Sequence, residues 1–274
     1  MSWHGWSVQP SLLYVAIGGL LYWLGDRKYS GGRQEPLRVL SFACGLLTIV
    51  LALDSPIDGY SEQLFWVHMA QHILLLTVAP PLILLGEPWP RMWLGLPARW
   101  RAATGRALAQ AGWTAPIRAI ARPIPAFVIY NVNIVVWHLP AAYDLTLTHG
   151  WIHDAEHALF FFTGLLFWAR VIDPGPLRPR LVWPTRLGYV VGAMIVGWVL
   201  AIVLAFEPHA IYPFYAHIAH RPGGLTAHAD QTIAAGIMWV PGSAAYGITF
   251  LTGLYRWLGT DDQPRRGTPT LTTS

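Results

Sequence analysis

The chain has 274 residues, of which 54% are hydrophobic and 12% charged, with 15 tryptophans and a formal net charge of +4. Ordinary soluble domains carry about 25% charged residues, and half that figure leaves too little polar surface to cover a water-soluble globule. A soluble enzyme, a disordered chain and a disulfide scaffold are therefore poor fits, and the single cysteine, Cys44, allows neither an intrachain disulfide nor a cysteine-based zinc site.

Taken in chain order, apolar runs long enough to cross roughly 30 Å of hydrocarbon as helices recur seven times, near residues 7–24, 37–53, 63–85, 123–138, 149–172, 187–206 and 230–258. Gly18 and Gly19 interrupt the first run, and the fourth is short. None alternates with period two, and backbone groups cannot stay unpaired in lipid, so helices are expected rather than a barrel. The predicted fold is all-α: a polytopic integral membrane bundle of seven transmembrane helices forming one domain over residues 1–274. The opening Met1-Ser2-Trp3-His4 has no basic stretch and no small-residue cleavage site, so no removable signal peptide is expected.

Basic residues set the expected orientation. Seventeen of the 18 Lys and Arg fall in or at the edges of the segments that follow the first, third, fifth and seventh runs, leaving only Arg221 in an opposite loop. By the positive-inside rule the N-terminus is out and the C-terminus in. The loop 88–122 mixes Arg99, Arg101, Arg106 and Arg118 with Trp93, Trp100 and Trp113, the pattern of a helix lying in the headgroup layer on the cytoplasmic side. The bilayer itself is thus an expected partner. Nucleic acid is not, because no base-stacking fold accompanies the charge. Gly188, Gly192 and Gly197 in the sixth run would permit close packing against a neighbouring helix, internal or in a second copy, so a homo-oligomer stays open.

Threaded through this topology, the 11 histidines all fall in the outer half. His68 and His72 lie in the first third of the third run, His153 and His157 in the first third of the fifth, and His138 ends the fourth. His209, His217, His220 and His228 belong to a His-rich outer loop, 207–229. Each i, i+4 pair puts two imidazoles on one helical face. At 1.5 Å per residue, His72 and His157 sit roughly 13 and 12 Å below their helix starts, a matched depth.

Ionisable groups inside spans are expensive and mark function. One such histidine could simply tie helices together, but four at one depth favour a metal site. The ligand set expected is His68, His72, His153 and His157, with His138 or Met69 in reserve. Asp154 and Glu156 would orient ligand histidines by accepting hydrogen bonds, and His217 and His220 would mark a metal entry region. Imidazole suits Zn, Cu, Fe and Ni, and a thioether favours Cu(I), so copper, as Cu(I), is the leading ion. A single bis-His heme and a zinc-dependent intramembrane hydrolase with Asp154 or Glu156 as base are the alternatives. The expectation is a binding protein rather than an enzyme.

The stretches HMAQHILLLTVAPPLILLGEP (68–88), WHLPAAYDLTLTHGWIHDAEHALFFFTGLLFW (137–168) and FYAHIAHRPGGLTAHADQTIAAGIMWVPG (214–242) resemble the CtaG family, seven-helix assembly factors of caa3-type cytochrome c oxidase. The resemblance runs from about residue 63 to 258. It implies a multi-pass protein of a bacterial inner (plasma) membrane whose partner is a heme-copper oxidase subunit. It also implies a metallochaperone role, delivering or retaining copper for the CuB centre. The motif histidines carried over are His68, His72, His138, His153 and His157.

Overall fold

The computed structural model describes residues 9–29, 36–110, 112, 114–172 and 181–261, and among them every regular element is a helix. Helices α1 (Pro10–Asp26) and α2 (Pro36–Leu53) lead to a short α3 (Pro56–Ser61). The third apolar run forms α4 (Phe65–Ile73), a π-helical turn (Leu74–Val78) and α5 (Ala79–Leu85). The loop after it folds into α6 (Pro88–Gly95), α7 (Ala98–Gln110) and α8 (Thr114–Ile120). Then come α9 (Pro123–Trp137), α10 (Pro140–Thr148), α11 (Gly150–Val171), α12 (Trp183–Phe206), the short α13 (Pro213–Ala216) and α14 (Ala227–Asp261).

Every one of the seven apolar runs carries a helix, but they differ as membrane spans. Four stretches, Pro36–Leu53, Phe65–Leu85, Trp183–Phe206 and Ala227–Gly259, are long and apolar enough to cross a bilayer, and α8 with α9, bent by 72°, makes a fifth only if the pair is counted as one span. With 17 residues, α1 is short against the roughly 20 that a span requires. The 22 residues of α11 include His153, Asp154, Glu156, His157 and Arg170, so its polar load lowers its apolarity.

The break in the third run has a local cause. Pro80 lacks an N–H and its ring clashes with the preceding turn; the π turn just before it absorbs the mismatch. The Leu76 carbonyl in that turn accepts a hydrogen bond from Trp168 Nε1 at 3.0 Å. A Cβ on Gly164 would stand 2.8 Å from the same oxygen, so a glycine is what lets α11 approach the turn. Around this contact Phe160, Phe167, Trp168, Tyr130 and Tyr246 form the largest buried apolar cluster. In α12, Gly192 is used internally, with Phe127 of α9 packed over it.

The basic loop begins with a docked segment. Helix α6 lies against α1 at backbone distance: a Cβ on Gly25 would be 1.6 Å from the Arg91 carbonyl oxygen, and one on Gly95 2.0 Å from that of Leu21. Buried Arg91 pairs with Asp26 at 2.8 Å, and Arg38 pairs with Glu87. Beyond it, α7 is exposed along most of its length, including Arg99 and Trp100. Because the Gly25 contact is to backbone, which cannot rotate away, Gly25→Ala is expected to separate α1 from α6. A lowered unfolding midpoint of the detergent-purified protein measures this, with Gly18→Ala, where no atom lies within 4 Å of the added methyl, as the unaffected comparison.

Candidate metal centre

Two helices deliver the site. The first amides of α4 are orphan donors, and no side chain at its own N-cap satisfies them. Asp230 of α14 does so instead, accepting from Phe65 N at 2.9 Å and Trp66 N at 3.0 Å. Its charge also complements the positive end of the helix dipole, and Arg221 Nε lies 3.7 Å from it. The depth of His68 and His72 is therefore held by a residue more than 150 positions away. On α11, His153, Glu156 and His157 stand at i, i+3 and i+4, so all three share one face.

These faces meet. His68, His153, Glu156 and His157 each offer a ligand atom, all within 4.8 Å of one another. Tetrahedral coordination at about 2.0–2.1 Å places donors roughly 3.4 Å apart, so modest side-chain rotations would close the set on an ion. Glu156 is fully buried, with Oε2 3.5 Å from His68 Nε2 and Oε1 3.6 Å from His72 Nε2. The His72 ring centroid stands 4.3 Å from that of His68 and 5.7 Å from that of His157.

A hydrogen-bond chain selects the tautomer of His68. The Tyr215 hydroxyl donates to the Ser61 carbonyl, so it accepts from His68 Nδ1–H, at 3.2 Å. Burial pushes the Tyr215 hydroxyl well above its ordinary pKa, which keeps it a donor. His68 Nε2 is then a lone pair aimed at a carboxylate, and two acceptors can face each other only with a cation or a proton between them. Of the buried polar atoms here, His68 Nε2, His72 Nδ1 and Nε2, His153 Nε2, His157 Nε2 and both Glu156 oxygens have no hydrogen-bond partner. Buried polar groups in folded proteins are otherwise nearly all satisfied. The donor set and its orphaned lone pairs fit a bound metal cation.

The other predicted residues take different places. His138 and Met69 are buried beside this cluster and contact each other, Nε2 to Sδ at 3.3 Å. Asp154 is exposed, whereas Glu156, expected only to orient a ligand, stands among the histidines. His217 and His220 are exposed, and His217 Nδ1 donates to its own helix at Pro213 O, 2.6 Å. The loop's contribution to the site is Tyr215. Sequence spacing could have found Glu156, three residues from His153, but no local pattern marks Tyr215 or Asp230. Gln71, next to His72, bonds Ala52 O at 2.8 Å and Asp58 Oδ1 at 2.9 Å, tying α4 to α2 and α3. Burial raises the Asp58 carboxyl above its usual range, against the lowering effect of hydrogen bonds from Gln71 and Gln9. His157 and Asp154 also line a cleft of about 1080 Å³ between α1, α2 and α11, walled by Tyr14, Phe42 and Phe161.

Among known proteins, the chain is 27% identical over 214 residues to an uncharacterised Mycobacterium bovis protein, Mb0105, covering 76% of this chain and 32% of that one. The Mycobacterium leprae protein ML1998, also uncharacterised, is 26% identical over 210 residues, covering 74% and 31% respectively. The chain thus spans about a third of the length of these relatives. No solved structure matches it. The family model described as cytochrome c oxidase caa3 assembly factor (Caa3_CtaG) matches residues 19–260, and with its all-helical fold and several membrane-spanning candidates the chain belongs to that family.

Proposed function

We propose that this protein is a seven-span assembly factor of a bacterial plasma membrane, N-terminus out and C-terminus in, that handles copper for the CuB centre of a caa3-type oxidase. The observation that carries the copper reading is the convergence of His68, His153, His157 and Glu156 with their lone pairs unpaired. The ion is cargo, and the protein performs no catalytic step on it. The residues hold the cargo and set its release: Tyr215 fixes the His68 ring, and Asp230 fixes the height of α4. His157 is where the cluster meets the cleft, the route proposed for exchange with an oxidase subunit. In this arrangement α7, with its exposed arginines and Trp100, rests on the cytoplasmic headgroups.

The carboxylate modifies the ion expected. A hard oxygen donor beside imidazoles suits divalent copper or zinc better than an all-imidazole or thioether set does. The test is the metal content and optical spectrum of the detergent-purified protein beside a His72→Ala/His157→Ala variant. Copper at one or more per chain, reduced in the variant and with no heme Soret band, supports the proposal. Stoichiometric zinc, a Soret band, or no metal after copper-replete growth would each overturn it.

A further inference from the structure

His138 and Met69 are not spare ligands of the centre just described. His138 Nδ1 lies 2.7 Å from the Ile134 carbonyl, and a carbonyl only accepts, so that nitrogen carries the proton. Nε2 is then a bare lone pair, and it faces the Met69 thioether at 3.3 Å. A thioether carries no proton, so nothing in this pair can donate and the contact is not a hydrogen bond. Two donor atoms bound to one ion at lengths on the order of 2.0 and 2.3 Å stand about 3.3–3.6 Å apart, which is the separation found. Both residues are buried, at 7% and 0% exposure. They open onto a cavity of about 60 Å³ that His72 and Met238 also line, and that volume admits an ion. His72 is within reach from the other wall, its ring centroid 6.1 Å from that of His138, and neither of its ring nitrogens has a hydrogen-bond partner.

We infer that Met69 Sδ and His138 Nε2, joined by His72, form a second metal site, selective for a cuprous ion, beside the His/Glu centre. The two donor sets sort ions by softness: sulfur and imidazole favour Cu(I), whereas carboxylate and imidazole favour a divalent ion. His72 stands between them, 3.6 Å from Glu156 on one side and lining the soft cavity on the other. The site goes beyond the assembly role and does not depend on which ion the His/Glu centre holds.

The test uses the full chain in detergent under anaerobic conditions, with Cu(I) delivered against a chromophoric Cu(I) chelator and Co(II) as an optical probe of the His/Glu centre. The wild type is expected to bind both ions together, and copper X-ray absorption to show one sulfur neighbour. Met69→Leu, a near-isosteric change, should weaken Cu(I) on the order of 100-fold and abolish the sulfur signal, leaving the Co(II) spectrum and the unfolding midpoint unchanged. Glu156→Gln should do the reverse. Cu(I) bound without sulfur, mutual displacement of the two ions, or equal loss of both in each variant would overturn the second site. Loss of Co(II) binding by the wild type with the Cu(I)–sulfur signal retained would instead overturn the His/Glu centre and leave this site standing.

Discussion

Glu156→Gln is expected to abolish divalent metal retention while leaving the protein folded. The substitution preserves shape and removes the only carboxylate among the four residues whose ligand atoms converge. Outer partners of metal ligands alone contribute 10–100-fold in affinity, so loss of a direct ligand should cost about 100-fold or more. The opposite outcome is physically distinct. If Glu156 serves only to neutralise a protonated His68 or His72, each 3.5–3.6 Å away, no metal is involved. The glutamine would then leave metal content unchanged and lower the unfolding midpoint, because breaking a buried pair strands the remaining charge. Metal analysis and thermal unfolding on the same preparation separate the two. In cells lacking the native protein, the variant should also fail to restore oxidase activity.

Asp230→Ala is expected to have the largest effect on the fold. One carboxylate accepts from two helix-terminal amides and faces Arg221, whose side chain is 6% exposed. Removing it orphans one buried and one part-buried donor, each worth up to about 1–3 kcal/mol, and strands a buried guanidinium. Loss on the order of 3–5 kcal/mol follows, read as a reduced unfolding midpoint and poor recovery from the membrane. Asp230→Asn keeps an acceptor for one amide and should lie between. Both variants should lose metal as well, because α4 would no longer be held at the height where His68 meets Tyr215 and Glu156. An alanine variant with wild-type stability and metal content would show that Asp230 sets neither.

The helices were legible in the sequence because each apolar run is continuous and helix formation is local. The histidine pairs were legible for the same reason, since i, i+4 spacing fixes a shared face whatever surrounds it. The number of spans was less so. A helix that bears the site must carry polar residues, and α11 pays with apolarity for His153, Glu156 and His157. The partition of the loop after α5 was also hidden, because Gly25 and Gly95 matter only once α1 and α6 are in contact.

What the sequence by itself determined is the helical class, the places of the apolar helical runs and the presence of paired imidazoles, all consequences of short-range periodicity. Only the tertiary structure decided which donors converge. Glu156 joins His68 because Gly164 lets α11 close on the π turn, and Asp230 holds α4 in depth from another helix. Tyr215 enters from a loop whose histidines stay outside, and His138 turns its lone pair to Met69 rather than to the carboxylate. These are contacts between residues up to 165 positions apart, and no local spacing encodes them.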